Sequence, residues 1–173
     1  MTAPTVSPED DVSYFAPALA RTPDGWTARE LDLDGAVDVD DVADLVRDLD
    51  IAADTALLFV EEDDEYLAIL RIDTDADELR VFVSDAHAAD AYRVAEIFAA
   101  AVEDPLVGGD DEDDPPGRDS EPLGDADLLA DLGTSRRELV ALVKHEGTLP
   151  ADVITEVCER AGCLDELEAL RGA

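Results

Sequence analysis

Acidic residues dominate this sequence, yet they do not replace the apolar residues from which a core is built. The chain carries 46 Asp and Glu against 12 Lys and Arg, a formal net charge of −34, while 46% of its residues are hydrophobic. Most disordered acidic proteins reach such a charge by losing apolar residues. Here the apolar residues recur in periodic runs, and 173 residues suffice for one domain with a small satellite. We therefore expect a folded protein with an acidic surface.

The charge balance also bears on the class of partner. Phosphate contacts come from clusters of Lys and Arg, whereas Arg136-Arg137 is the single adjacent basic pair in this chain. Direct nucleic-acid binding and binding to an anionic membrane are therefore disfavoured. A basic protein partner is favoured, because complementary charge speeds encounter. An acidic surface could equally be an adaptation to salt that requires no partner.

The ends of the sequence and its cysteines bear on the compartment. The N-terminal sequence MTAPTVSPEDD has neither the basic nor the apolar stretch of a signal peptide. No run approaches the ~20 apolar residues of a membrane span. We expect a cytoplasmic protein with no cofactor, in which Cys158 and Cys163 are reduced thiols.

The apolar periodicity of residues 12–103 predicts an α+β domain, preceded by a flexible tail over residues 1–11. The pattern predicts strands over 12–21 (with Pro17 suited to an edge), 26–33, 56–60, 66–72 and 80–84, and helices over 39–49 and 88–102. The order β-β-α-β-β-β-α predicts a mainly antiparallel five-stranded sheet with two helices packed on it.

The rest of the chain divides into a linker and a helical region. Acids, Pro and Gly dominate residues 104–122, which predicts a disordered linker. From Leu123 onward the pattern is purely helical and predicts a small helical domain over residues 123–173, with helix ends at Gly133, Gly147 and Gly162. This region could need the first domain or a partner to complete its core, because it holds only about 50 residues.

An acidic segment between the second predicted strand and the first predicted helix resembles a calcium-binding loop. Glu30, Asp32, Asp34, Gly35, Asp38 and Asp41 fall on positions 1, 3, 5, 6, 9 and 12 of the template. Glu30 is too long for its position, and Asp41 is too short for bidentate binding. The preceding segment WTAREL also alternates like a strand, where an entering helix is required. We interpret the segment as a strand–turn–helix junction, with a calcium site as the alternative.

Other residues with possible chemistry have plainer interpretations. Asp32-Leu33-Asp34-Gly35 resembles the nucleophile loop of haloacid-dehalogenase-type phosphatases, but no buried apolar strand precedes it and the required lysine could only be Lys144. His87 and His145 fall at predicted helix ends, where histidine is commonly solvated. The spacing of Cys158 and Cys163 matches neither a zinc pair nor one helix face, so we interpret Cys158 as core packing.

Two features are candidates for partner binding. Trp26, the single tryptophan, begins a strand beside a turn, and we interpret it as a core edge with a binding anchor as the alternative. The acidic run Asp110, Asp111, Glu112, Asp113 and Asp114 is most simply a solvating part of the linker. An electrostatic contact with a partner is the alternative.

Five segments together resemble the actinobacterial family of tRNA adenosine deaminase-associated proteins. They are ARTPDGWTARELDLD at 20–34, ALLFVEEDDEYLAILRID at 56–73, RVFVSD at 80–85, SEPLGDADLLADLG at 120–133 and EGTLPADVITEVCERAGCLDELEAL at 146–170. The likeness extends over nearly everything between residues 12 and 171 apart from the linker.

This resemblance implies a non-catalytic accessory or regulatory protein that acts on or beside the tRNA adenosine deaminase, the zinc enzyme that makes wobble inosine. It implies no catalytic residues. The zinc deaminase signature, H-x-E followed by P-C-x-x-C, is absent, which agrees with an accessory role. Two alternatives remain at this point: a calcium-binding or phosphatase-like protein that uses the Glu30–Asp41 loop, and an acidic structural module with an unknown partner.

Overall fold

An antiparallel β-sheet with helices on both faces organises the computed structural model, which describes residues 14–49, 53–73, 78–85, 88–102, 122–145 and 147–172. The seven strands are β1 (Tyr14–Phe15), β2 (Pro17–Thr22), β3 (Gly25–Glu30), β4 (Thr55–Glu62), β5 (Tyr66–Asp73), β6 (Glu78–Val83) and β7 (Leu123–Gly124). Their spatial order is β3-β2-β4-β5-β6-β7, and β1 also pairs with β4. Every neighbouring pair is antiparallel.

Six α-helices and a short 3₁₀ turn complete the described chain. They are α1 (Val39–Arg47), α2 (Ala88–Ala91), α3 (Arg93–Ala100), a 3₁₀ turn (Ala130–Leu132), α4 (Arg136–Lys144), α5 (Pro150–Ala161) and α6 (Leu164–Gly172). The predicted mixed α+β class with an antiparallel sheet is therefore confirmed. No helix in the described ranges is long and apolar enough to cross a membrane.

The two faces of the sheet carry different cores. On the first face, Leu58, Leu70 and Val83 pack with the inner sides of α1 and α3. On the second face, Leu57, Phe59, Leu67, Ile69 and Phe82 pack with residues of the C-terminal helices. The central strands β4 and β5 are buried on both sides, which explains why they are continuous apolar runs rather than alternating ones.

The C-terminal helices thus complete their core against the sheet. Their contribution to the second face consists of Leu128, Leu129, Leu132, Leu139, Val153, Ile154, Val157, Cys158, Cys163 and Leu167. Ser135 and Glu138 form the predicted capping box of α4. Gly133 and Gly162 have positive φ angles of 106° and 90° where the preceding elements end, as the sequence predicted.

The predicted count of five strands is wrong, for two reasons. The first predicted strand is divided into β1 and β2 at Ala16, although the register continues from Phe15↔Glu61 to Ala18↔Leu58 without a slip. The second reason is β7, a two-residue strand that pairs with β6. Residues from Leu123 are therefore not purely helical, because Leu123 and Gly124 extend the sheet.

Two local predictions also need correction. Pro17 does not lie on an edge strand, because β2 is paired with β3 on one side and β4 on the other. It is accommodated as the first residue of β2, one of the few strand positions that tolerate a proline. The helix predicted over 88–102 is divided at Tyr92, whose φ of −126° and ψ of 130° are extended and separate α2 from α3.

A buried arginine joins the sheet to the C-terminal region. Arg71 on β5 is 3% exposed and points toward the second face. Its Nη1 donates to the Leu128 carbonyl at 2.6 Å and to Asp131 Oδ1 at 2.6 Å, while Nη2 donates to Asp131 Oδ2 at 2.9 Å. Its Nε donates to Asp73 at 3.1 Å. Each side of the guanidinium is therefore bonded, which makes a charge at this depth tolerable.

Candidate functional site

The segment between β3 and α1 forms a turn that is anchored to the rest of the protein at two buried residues. Leu33 and Ala36 are buried in the first-face core, and the Ala36 N–H donates to the Leu33 carbonyl at 3.1 Å. Between and beyond them, Asp34, Gly35 and Val37 are exposed. The predicted strand–turn–helix junction is the structure that this segment adopts.

The carboxylates of the calcium-loop alternative bond to the protein itself. Asp32 Oδ1 accepts from the Asp34 N–H at 3.0 Å, and Asp34 Oδ1 accepts from the Tyr14 hydroxyl at 3.2 Å. Asp38 caps α1 by accepting from the Asp41 N–H at 3.1 Å, and Asp41 Oδ2 accepts from the Val37 N–H at 2.9 Å. Glu30, the first residue of the template, lies at the end of β3 opposite Pro17. These bonds serve backbone turns and a helix cap.

A distant arginine uses the carbonyl groups of the same turn. Arg93 on α3 donates from Nη1 to the Ala36 carbonyl at 2.8 Å and from Nη2 to the Leu33 carbonyl at 3.0 Å. Ala36 occupies template position 7, where a calcium loop would present its backbone oxygen to the ion. That oxygen already accepts from a cation of the protein. In the described ranges, no three His, Cys, Asp or Glu side chains are placed to hold a metal ion together.

We therefore expect calcium to leave thermal stability unchanged. A site with a Kd of about 0.1 mM would add about 2.7 kcal/mol to the free energy of unfolding at ~10 mM calcium. The measurement is the melting temperature of the full chain at ~10 mM calcium chloride, with equal magnesium chloride as the control for general screening of the acidic surface. A rise of several degrees that calcium produces and magnesium does not would establish the calcium alternative.

Tyr14 reinforces the turn from β1. Its hydroxyl donates to Asp34 and accepts from the Leu33 N–H at 2.8 Å. Burial, followed by the nearby carboxylates of Asp34 and Asp32, raises the pKa of Tyr14 to about 12, although the bond from Leu33 acts in the opposite direction. Tyr14 is therefore a protonated, structural hydroxyl at neutral pH.

A cleft of about 610 Å³ opens between this turn and α3. Its apolar surface comes from Val37, Ile97, Ala100 and Ala101, while Asp34, Asp38, Glu96 and Arg93 supply its charges. Val37 is 76% exposed, the largest exposure of any large hydrophobic residue in the described chain. An apolar surface that is open to water and surrounded by polar groups is typical of a binding site.

The cleft lies within a larger surface that we call the α1 acidic face. It consists of the exposed carboxylates of residues 30–48: Glu30, Asp32, Asp34, Asp38, Asp40, Asp41, Asp44 and Asp48. Only Arg29 and Arg47 lie near them in sequence, and Arg47 is paired with Asp44 at 3.5 Å. The inner side of α1 is buried through Val42, Ala43 and Val46, so the acidic residues are confined to its outer side.

The remaining candidates lie elsewhere. Trp26 on β3 is partly buried and packs against the second-face core. The acidic run Asp110–Asp114 and His87 fall outside the described residues. His145 is exposed at the end of α4, with Nδ1 3.0 Å from Thr148 Oγ1. Asp32 precedes α1 on the first face, whereas Lys144 ends α4 on the second, so the two do not form the phosphatase arrangement.

The cysteines are closer than their spacing suggested. Cys158 and Cys163 are both fully buried, and the Cys163 N–H donates to the Cys158 carbonyl at 2.9 Å. The hydrogen bond with Cys163, together with burial, raises the pKa of the Cys158 thiol. A buried thiol with a raised pKa is unreactive, so this pair contributes packing to the second face.

The sequence interpretation missed Arg93 and Arg71. Both bond to segments about 60 residues away in sequence, and no local sequence pattern predicts such a contact. Arg71 did leave one signal: it is the single charged residue within YLAILRI, and it lies on the same face of β5 as Leu67 and Ile69. A charge in that position requires a buried partner.

Comparison with known proteins assigns the chain to a family. Residues 14–164 match the family model described as Rv3753c-like tRNA adenosine deaminase-associated protein. The chain belongs to this family. The match to the tRNA adenosine deaminase-associated family includes the sheet, the cleft and the helices of the second face through the first residue of α6. No curated protein and no solved structure matches the chain.

Proposed function

We propose that this protein is a non-catalytic accessory protein that binds the tRNA adenosine deaminase through protein–protein contacts. Membership of the tRNA adenosine deaminase-associated family is the observation that carries the proposal. The family's name specifies the enzyme, and the surface of this chain suggests the kind of contact. Binding there would regulate editing or hold the enzyme beside another component.

Charge supports a contact with this enzyme. A deaminase that acts on tRNA must offer cationic groups to the phosphate backbone. The present chain offers the opposite, with a formal net charge of −34 and the exposed carboxylates of the α1 acidic face. Complementary fields of this kind accelerate association and select among partners. The same surface would compete with tRNA wherever the two sites on the enzyme overlap.

Most basic residues in the described ranges are engaged in the protein's own structure. Within the described ranges, arginines bond to acidic side chains or to carbonyl oxygens of the same chain: Arg21, Arg47, Arg71, Arg80, Arg93, Arg136, Arg160 and Arg171. Few cationic groups are left for a phosphate backbone. We therefore propose that the protein contacts the enzyme and does not contact tRNA directly.

A non-catalytic role is supported by the scattering of reactive groups. Among the residues that the structure describes, the cleft is lined by carboxylates and an arginine, and by no histidine, cysteine, serine or lysine. The buried thiols lie on the other face of the sheet, and His145 bonds to Thr148 at the surface. Among the described residues, no hydroxyl, thiol or amine nucleophile is thus placed beside a base at this site.

The experiment is size-exclusion chromatography with light scattering on this protein mixed with the tRNA adenosine deaminase of its own host. We expect a co-eluting complex in low salt. Because the contact joins surfaces of opposite charge, raising the salt from about 0.05 to about 0.3 M should weaken the affinity roughly tenfold or more. Titration calorimetry at the two salt concentrations measures the change.

Added tRNA distinguishes two modes of action. Release of the deaminase from the complex indicates competition for the RNA-binding surface, whereas a ternary complex indicates a scaffold. Separate peaks at micromolar concentration in both salts would contradict the proposal. A complex whose affinity does not change with salt would support the association with the deaminase but would contradict an electrostatic contact.

A further inference from the structure

The cleft beside α3 combines an apolar floor with an acidic rim, and this combination restricts its occupant. Ile97, Ala100 and Ala101 of the floor are joined by the 76%-exposed Val37 at the edge. A purely polar ligand would leave this apolar surface exposed to water. An occupant with a hydrocarbon portion would cover it and gain about 25 cal/mol for each Å² removed from water.

The charges around the floor favour a cation. Three carboxylates, those of Asp34, Asp38 and Glu96, line the cleft together with a single guanidinium, that of Arg93. Arg93 donates to the carbonyls of Leu33 and Ala36, so both of its terminal nitrogens are engaged. The Glu96 carboxylate is exposed and makes no hydrogen bond or ion pair within the described part of the chain.

An anion is the competing occupant, because the N-terminus of α1 also faces the cleft. Helix N-termini bind anions through their free N–H groups. Here Asp38 accepts from the Asp41 N–H, and Asp41 accepts from the Val37 N–H. The Asp41 N–H of the first helical turn and the Val37 N–H before the helix are therefore bonded to carboxylates of the chain, which also place negative charge where an anion would sit. The arrangement favours a cationic ligand.

We propose that this cleft is the docking site for an arginine- or lysine-bearing segment of the partner protein. The aliphatic stem of the basic side chain would lie on Val37, Ile97 and Ala101, and its charged end would reach Asp34, Asp38 or Glu96, as long basic side chains do at apolar edges. The identity of the partner rests on the proposed function, in which it is the tRNA adenosine deaminase.

The first experiment compares two charge reversals in the full chain. Glu96→Lys reverses the charge inside the cleft, and Glu159→Lys makes the same change on the exposed side of α5, on the other face of the sheet. Both alter the net charge equally. We expect Glu96→Lys to raise the Kd for the deaminase about tenfold or more, and Glu159→Lys to raise it about twofold or less. Equal effects of the two variants would overturn the assignment of the cleft as the docking site, while leaving the proposed function intact.

The second experiment does not involve the deaminase. The ¹⁵N-labelled full chain is titrated with a capped pentapeptide that contains two arginines and a leucine, with a glutamate-for-arginine peptide as the control. We expect amide shifts concentrated at Ala36, Val37, Ala100 and Ala101, caused by the arginine peptide alone. Shifts spread evenly over all exposed acidic residues would overturn the proposal, since they would show charge attraction without a site.

Inorganic phosphate is the probe for the competing ligand. Shifts of the Val37 and Val39 amides with phosphate, and none with the arginine peptide, would overturn the cationic proposal in favour of an anion site. If the wild-type protein fails to bind the deaminase, the proposed function fails. The peptide titration still tests whether the cleft binds a basic segment, because its result does not depend on that enzyme.

Discussion

Replacing Arg71 with alanine is expected to lower the free energy of unfolding by about 3–5 kcal/mol, the usual cost of removing one partner from a buried charge pair. The side chain is almost completely buried, and its loss removes the donor to the Leu128 carbonyl and both of the bonds that Arg71 makes to the Asp131 carboxylate, while Asp73 keeps its bonds from Arg80 and Thr55. Because Leu128 and Asp131 belong to the segment before α4, this segment should also separate more easily from the sheet. Urea denaturation measures the first effect, and hydrogen exchange of residues 126–132 measures the second.

Arg47→Ala is the matched control. Arg47 is paired with Asp44 at 3.5 Å, but both side chains are largely exposed, and such pairs contribute between ~0 and ~1 kcal/mol. A loss of less than about 1 kcal/mol in the Arg71 variant, or a loss equal to that of Arg47→Ala, would contradict the account of Arg71 as the connection between the sheet and the C-terminal helices.

The ion pairs of Arg71 with Asp131 and Asp73 make the destabilisation by Arg71→Ala depend on pH. The hydrogen bond with Arg71 lowers the pKa of Asp131. Burial acts to raise the pKa of Asp73, but the bonds from Arg71 and Arg80 outweigh it, so the pKa of Asp73 is also lowered. A carboxylate whose folded pKa is depressed stabilises the protein above its unfolded pKa of 3.8 and loses that contribution as the pH falls through the folded value. The stability difference between wild type and Arg71→Ala should therefore narrow below about pH 4.

Gly124→Ala should destabilise the protein by about 2–5 kcal/mol, through backbone strain and a clash together. Gly124 pairs with Phe82 in β7 and has a φ of 97°, which L-amino acids with a Cβ rarely adopt. An added Cβ would fall on the Val81 carbonyl oxygen, the acceptor of the 2.8 Å hydrogen bond from the Asp125 N–H. The substitution therefore forces β7 away from β6 and also removes the 3.7 Å ion pair between Arg80 and Asp125.

Gly35→Ala tests whether the effect depends on position. A Cβ added at Gly35 would have no neighbour within 4 Å, and the φ of Gly35 is not positive. We therefore expect the free energy of unfolding to change by no more than about 0.5 kcal/mol. Thermal or urea unfolding of the two variants gives the comparison. Similar stabilities for Gly124→Ala and wild type would show that β7 moves away from β6 at little cost.

The elements of the sheet could be predicted because their signals are local. Apolar runs identified β4 and β5, and turn residues separated β2 from β3. The two-layer arrangement of helices around the sheet was not predicted, because the sequence carries no mark of which helix covers which face. β7 was missed for a related reason: a two-residue strand exists only through its pairing with β6, some 40 residues earlier.

The site was predictable to a smaller degree. The acidic residues after β3 were identified, and the strand–turn–helix interpretation describes their structure correctly. The cleft was not foreseen, since it is formed by α3 and by the contact of Arg93 with the carbonyls of Leu33 and Ala36. Such a contact joins residues far apart in sequence and depends on how both helices pack on the first face.

The second face of the sheet has a consequence for synthesis on the ribosome. The strands through β6 are complete at Val83, whereas the helices that cover Leu57, Phe59, Ile69 and Phe82 end near Gly172. At about 5–20 residues per second, roughly 5–20 s pass between the two. During that interval the nascent chain carries a bare apolar sheet surface. The high density of negative charge along the same chain then acts as protection, because repulsion between neighbouring nascent chains opposes their aggregation before the last helices arrive.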